Sequence, residues 1–227
     1  MITRKFGFLF AAVFFIGGLG ALLSAQITTA NDYFKTVSEL YGTIKDYEAE
    51  MDITIGRQQM SAHVSFKRPD LLRVDFSNPS EQVILFNGDM LTIYLPNASA
   101  VLQQQADSSS AGGTTLATPQ GLSLMSRYYT IAYETGQAPV LLDDTSNEQV
   151  VKLVLNRRNT SEAFRTIRVA VSVETKLIRR IEATTPRGER FVFDFTHYRL
   201  NQNIPDQRFI YDPPSSANVY NNFLLSD

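Results

Sequence analysis

"FKRPDLLRVDF", residues 66–76, sets two apolar alternations around one charged turn. Just before it, "SAHVSF" (61–66) places Ala62, Val64 and Phe66 at every second position; within it, Leu72, Val74 and Phe76 do the same. A period of two marks a strand with one buried and one wet face. Arg68-Pro69-Asp70 separates the two runs. Proline presets its own φ and cannot donate to a sheet ladder, so it belongs in the turn. The stretch predicts an antiparallel hairpin and raises a question: what needs an arginine and a rigid proline at the rim of an apolar sheet?

The same pattern continues outward. "EQVILFNGDMLTIYL" (81–95) contains Asn87-Gly88 between two apolar runs, which predicts a second hairpin with a type I′ turn. In "FRTIRVAVSVE" (164–174), Ile167, Val169, Val171 and Val173 share a face. "TTPRGE" (184–189) joins "KLIRRIEA" (176–183) to "RFVFDFTHY" (190–198), where Phe191, Phe193 and Phe195 alternate with mostly polar residues. Strands close in sequence and joined by short turns predict an antiparallel meander, strongly curved or partly closed.

Two segments differ. A helix is predicted to open the mature chain: Tyr33, Phe34, Val37, Leu40, Tyr41 and Ile44 recur at three- and four-residue spacing, Thr29 and Asp32 resemble a capping box with Asp in place of Glu or Gln, and Gly42 is a stop signal. "QQQADSSSAGGTTLATPQ" (103–120) is poor in apolar residues and predicts a flexible loop. It leads into "GLSLMSRYYTIAY" (121–133), where Leu122, Met125, Tyr128 and Tyr129 form the apolar face of a short helix. There is no internal repeat, and residues 26–227 are expected to form one domain.

The first 25 residues read as a secretory signal peptide. Arg4 and Lys5 precede an uncharged run from Phe6 to Leu23, and Ser24-Ala25 offers small residues for cleavage before Gln26. An uncleaved anchor is the alternative, since 18 uncharged residues lie at the lower limit for spanning a bilayer. The chain has no cysteine, so it draws no stability from an oxidising compartment and carries no lipid on a cysteine. If the leader is cleaved, the folded part is expected outside the inner membrane, in the periplasm.

Net charge is −2 for the whole chain. Residues 26–149 hold 7 Lys/Arg against 15 Asp/Glu, whereas residues 150–227 hold 12 against 8. A weakly acidic domain is a poor nucleic-acid binder. The arginine-rich second half either clothes the wet faces of strands or meets a membrane surface or an acidic partner.

Little in the chain points to catalysis. His63 and His197 are the only histidines, and no set of ligands has metal spacing. There is no nucleophile elbow or phosphate-binding glycine loop. "DDTSNE" (143–148) lacks the spacing of a calcium loop. The expectation is a non-enzymatic protein without metal or cofactor. A curved sheet with an aromatic concave face either packs its interior solid or holds an apolar ligand.

Taken in order, the helix, "FKRPDLLRVDFSNPSEQVILFNGDMLTIY" (66–94), "IRRIEATTPRGERFVFDFTHYRLNQNIPDQRFIYDPP" (178–214) and the leader resemble the periplasmic outer-membrane lipoprotein carrier family, the LolA type. The resemblance implies an unclosed, half-barrel antiparallel sheet covered by the N-terminal helix and short lid helices. It implies a chaperone that shelters lipoprotein acyl chains in an apolar cavity between the inner and outer membranes. The implied partners are acylated lipoprotein cargo, an ABC-type inner-membrane extractor and an outer-membrane acceptor, the carrier itself being a monomer. A lipid- or lipoprotein-binding sensor without transport is the alternative. The expected cavity residues are Phe66, Leu72, Val74, Phe76, Leu85, Leu91, Ile93, Leu122, Met125, Tyr128, Tyr129, Phe191, Phe193 and Phe195. By the same resemblance, Arg68 and Pro69 form a latch. Arg68 is expected to bond carbonyls of the lid helix, the segment around Thr118 to Tyr129, and so hold the lid shut.

Overall fold

In the computed structural model, residues 28–105 and 117–222 are described. Helix α1 (Ala30–Thr43) is followed by β1 (Asp46–Ile55), β2 (Gln58–Lys67), β3 (Leu71–Asn78), β4 (Val83–Phe86), β5 (Met90–Leu95) and β6 (Ala100–Gln105). Helix α2 (Pro119–Tyr128) leads into β7 (Tyr129–Tyr133), β8 (Val140–Leu141), β9 (Gln149–Arg157), β10 (Thr166–Ser172), β11 (Ile178–Thr184), β12 (Arg190–Leu200) and β13 (Asn218–Asn221). All strands join one open sheet in the order β13-β6-β5-β4-β3-β2-β1-β12-β11-β10-β9-β7, with β8 also on β9. Every neighbouring pair is antiparallel except β13 on β6. The predicted meander and unclosed sheet are what forms, and the tail contributes the parallel edge strand.

Register explains the core. Val64 lies opposite Val74, Val74 opposite Ile84, Ile53 opposite Phe193 and Val169 opposite Leu153, so inward residues stack in rows across the sheet. Helix α1 is capped as expected: Thr29 Oγ1 accepts from the Asp32 amide at 3.1 Å. The reciprocal bond differs from a standard capping box, with the Thr29 hydroxyl donating to the Asp32 carboxylate at 2.6 Å. The helix lays Phe34, Val37 and Tyr41 into the concavity, each at most 1% exposed.

Three local expectations are corrected. Residues 103–105 belong to β6, and 117–120 are the buried Ala117 and Thr118 followed by the first residues of α2 rather than loop, because Thr118 caps that helix by accepting from the Gly121 amide. The loop expected between them falls on 106–116, outside the described residues. The second hairpin turns on Gly88-Asp89, with Asn87 and Met90 paired, and only Gly88 has positive φ (101°). That is the type II′ pattern rather than I′; Asn87 instead caps the turn, its side-chain oxygen accepting from the Asp89 and Met90 amides.

Strand β12 carries the irregularity that matters most. Glu50 pairs with Thr196 and Glu48 with Arg199, so Ala49 alone faces His197 and Tyr198. The extra residue is His197, at φ 53°. A bulge of this kind resets side-chain parity. Phe191, Phe193 and Phe195 point inward before it, and Tyr198 points inward after it.

Candidate functional site

Between the sheet and its helical cover lies a cavity of about 90 Å³ with an almost wholly apolar wall. Its floor comes from Met51 and Ile53 on β1, Val64 on β2, Leu72, Val74 and Phe76 on β3, Ile84 on β4, and Phe193 and Phe195 on β12. Tyr47, Ala117 and Thr118 complete the lining. These residues meet because the inward rows of five adjacent strands, β4-β3-β2-β1-β12, lie side by side.

The cover is fastened at three points. Tyr47 Oη donates to the Ala117 carbonyl at 3.1 Å. Gln120 Nε2 donates to the Pro69 carbonyl. Arg68 Nη1 donates to the Gly42 carbonyl at 2.5 Å, at the C-terminal end of α1. The Arg68–Pro69 turn therefore holds both helices, one through each residue. The expectation that Arg68 would reach a carbonyl of the lid helix is corrected: its partner is on α1, whose last turn leaves carbonyls without intrahelical donors, and the bond to α2 is made by the backbone of Pro69. Asp70 backs the turn, its carboxylate lying 3.3 Å from where a side chain on Gly88 would begin.

Helix α1 is itself pinned by a tyrosine cluster. The Ile178 amide donates to Tyr41 Oη at 3.1 Å, Tyr198 Oη donates to the Ile178 carbonyl at 2.9 Å, and the two hydroxyls are 3.3 Å apart. Burial pushes the Tyr41 phenol up to about 12, and burial together with the neighbouring phenols raises Tyr47 and Tyr198 well above 10. All three stay neutral donors across the physiological range.

Of the residues expected at the cavity, Leu72, Val74, Phe76, Phe193 and Phe195 line it. Phe66, Leu91, Leu122, Met125 and Tyr129 are buried in the surrounding core without reaching it, and Ile93, Tyr128 and Phe191 are partly buried against that core. Phe66 lies against the Tyr47 ring (5.3 Å between centroids) and Phe191 against Phe164 (5.9 Å). Leu85 is a correction: it lies on the opposite face of the sheet, packed with Ile204 and Phe209, because parity along β4 gives Ile84 the inward position. Sequence reading missed Tyr47, Met51, Ile53, Val64, Ile84, Ala117 and Thr118 as lining residues. The signal for β1 was present, since Tyr47, Ala49, Met51 and Ile53 alternate with Glu48, Glu50 and Asp52.

The outer face is clothed in ion pairs. His63 sits between Glu50 (2.9 Å) and Glu48 (3.2 Å), and Arg199 also reaches Glu48 (2.8 Å). Burial alone would raise the Glu48 carboxyl, but His63 and Arg199 outweigh it and leave it below the usual range. Asp75 is shared by Arg73 and Arg208, and Arg180 bridges Asp194 and Asp143. Among the described residues no group of three or more His, Cys, Asp or Glu could hold a metal ion.

Against known proteins, the sequence profile of the family "Outer membrane lipoprotein carrier protein LolA" matches residues 54–212. An outer-membrane lipoprotein carrier protein of Pseudomonas aeruginosa is 24% identical over 162 residues, covering 71% of this chain and 72% of its own. One from Leptothrix cholodnii is 26% identical over 220 residues, covering 95% and 96%. Among solved structures, the MucA/MucB complex of Pseudomonas aeruginosa superposes with a TM-score of 0.52 at 12% identity, over 84% of this chain and 63% of that one.

Proposed function

This chain belongs to the LolA family of outer membrane lipoprotein carrier proteins, and from that premise we propose that it is a periplasmic chaperone carrying lipoproteins from the inner to the outer membrane. The observation that carries this reading is the apolar cavity closed by a hydrogen-bonded cover. At about 90 Å³ it is well below the roughly 300–1,000 Å³ of ordinary ligand pockets. A cavity of this size cannot hold an acyl chain, which enters only if the cover moves.

Magnitudes make that exchange feasible. Moving an acyl chain of about 16 carbons from water into an apolar site is worth roughly 12 kcal/mol at about 0.8 kcal/mol per CH₂. The three fastening bonds oppose opening by about 1 kcal/mol each. Exposing Leu122 and Met125 would add about 2–3 kcal/mol apiece if α2 swung out entirely. One chain outweighs the cover, yet not by so much that release is barred. The proposed partners are acylated cargo, an ABC-type inner-membrane extractor and an outer-membrane acceptor, as the resemblance to carrier proteins suggests. Carriage by a binding protein needs no chemistry, so no enzymatic role is assigned.

The test is a release assay. Protein from residue 26 onward is added to spheroplasts synthesising labelled lipoprotein. A soluble one-to-one complex, followed by transfer to outer-membrane vesicles, is the expected result. Lipid binding without release from spheroplasts would overturn carriage. It would assign the chain to recognition without transport, a role the fold also permits, since MucB shares it and is found bound to MucA.

A further inference from the structure

Strand register sorts the charges of this protein by end. At one end, β1 turns into β2 at Gly56-Arg57, β11 into β12 through 185–189 and β9 into β10 through 158–165; α2 also enters β7 there. The segments forming this rim, 55–58, 127–129, 157–166 and 182–191, contain seven arginines, three glutamates and no lysine. Arginines elsewhere on the sheet are matched to carboxylates, as in Arg73–Asp75, Arg168–Glu134, Arg179–Glu148 and Arg199–Glu48. At the rim Arg190 has such a partner, Glu182 at 2.6 Å. Arg57, Arg127, Arg157, Arg158, Arg165 and Arg187 have no ion pair among the described residues; Arg157 donates to the Thr160 carbonyl, Arg158 to the Tyr129 carbonyl, and Arg127 lies over the Tyr128 ring, which leaves their charges uncompensated. Four turns at the opposite end, 68–70, 87–89, 142–148 and 173–176, hold six carboxylates against two cations, with Lys45 beside the first of them.

We propose that this arginine rim docks the protein end-on against the phosphates of an anionic phospholipid surface. Three observations favour that occupant. The cations are all guanidinium groups, whose planar fork matches phosphate oxygens in pairs and is less strongly hydrated than ammonium. They are strung along seven neighbouring strands, β2-β1-β12-β11-β10-β9-β7, an arc of about 29 Å at ordinary strand spacing. Groups so spread cannot converge on one phosphate, whereas a headgroup plane offers one to each. The acidic turns at the far end complete a dipole along the strands that orients the basic end toward a negative surface. Tyr128 and Phe164 sit at the same rim, where amphipathic and aromatic side chains suit a membrane interface. This docking holds whether or not the cavity takes acyl chains.

The experiment is vesicle co-sedimentation of residues 26–227, which include every core residue of the described fold. The vesicles are pure phosphatidylcholine or phosphatidylcholine with one-third phosphatidylglycerol. Two variants of equal charge change are compared. R57E/R165E/R187E alters three exposed rim arginines, and K35E/K45E/K176E alters three cations elsewhere. Both are first checked for an unchanged circular dichroism spectrum. The expected result is binding to the anionic vesicles only, weakened by salt, reduced roughly 100-fold or more in the arginine variant and within threefold of the parent in the lysine variant. Equal losses in both variants would overturn the rim as a site and leave only net charge. Absence of vesicle binding by the parent, with retention on immobilised polyglutamate lost in the arginine variant, would overturn the lipid surface and give the rim to an acidic protein.

Discussion

Arg68 answers the question raised by its own turn. Its guanidinium neutralises a carbonyl end of α1, while the next residue's carbonyl receives Gln120 from α2. One tight turn thus couples the two covering helices. Arg68→Leu removes the first bond and leaves the second. Because Arg68 is exposed, the loss in stability is small, about 0.5–1 kcal/mol. The larger effect is local: amide exchange at the C-terminal turn of α1 and around 117–121 quickens several-fold, read by hydrogen-exchange mass spectrometry. Unchanged exchange there would remove Arg68 from the latch. His197 shows the opposite economy. It holds φ 53°, a conformation glycine adopts without steric cost. His197→Gly is expected to stabilise the fold by about 0.5 kcal/mol in urea titration, the relief of strain exceeding the loss of the contact to Thr196.

At the scale of elements, β12 is the strand on which the site depends. Before its bulge it supplies Phe193 and Phe195 to the cavity; after it, Tyr198 to the cluster that pins α1. Without the extra residue one of these two sets would face solvent. The cavity is a property of five strands meeting and not of any one of them. Val64→Phe projects a ring into it from the middle of β2. The expected outcome is a folded protein, changed in stability by no more than about 1–3 kcal/mol, that no longer takes up a fluorescent fatty-acid probe. Retained uptake at parental affinity would show that acyl chains bind elsewhere. Helix α2 covers the cavity only by its N-terminal end, Ala117 and Thr118, while Leu122 and Met125 are locked in core.

Across the whole molecule, the buried phenols tie stability to alkaline pH. Tyr41 is held near 12 and Tyr47 and Tyr198 well above 10, against an ordinary value of 10 when unfolded. The neutral form is favoured in the fold, so this stabilisation is complete below pH 10. Above pH 10 the unfolded chain releases protons that the folded chain keeps, and stability falls until the folded values are reached. Denaturant midpoints are expected to be flat through neutral pH and to drop steeply from pH 10 to 12. A flat profile through pH 12 would show these phenols to be accessible. At the acid end Glu48, lowered by His63 and Arg199, contributes stability that is lost as pH falls through its folded value.

The sequence by itself determined seven of the thirteen described strands, the opening helix with its cap, and the inward face of most of those seven. Period two and period 3.6 are local properties, written wherever one face of an element is wet. It also marked the Arg68–Pro69 turn and the charge asymmetry between the two halves. Only the tertiary structure decided which inward residues enclose space and which merely pack. Leu72 and Leu91 read alike along the chain, yet one lines the cavity and the other does not. It placed Leu85 outward through the parity of a four-residue strand too short to display its own period. It gave Arg68 a carbonyl on α1, a partner 26 residues away in the chain. Enclosure, helix clasps and the gathering of arginines, most of them without a carboxylate partner, on one rim arise from contacts between distant segments. Such contacts depend on register and curvature summed over many strands, and no local pattern records that sum.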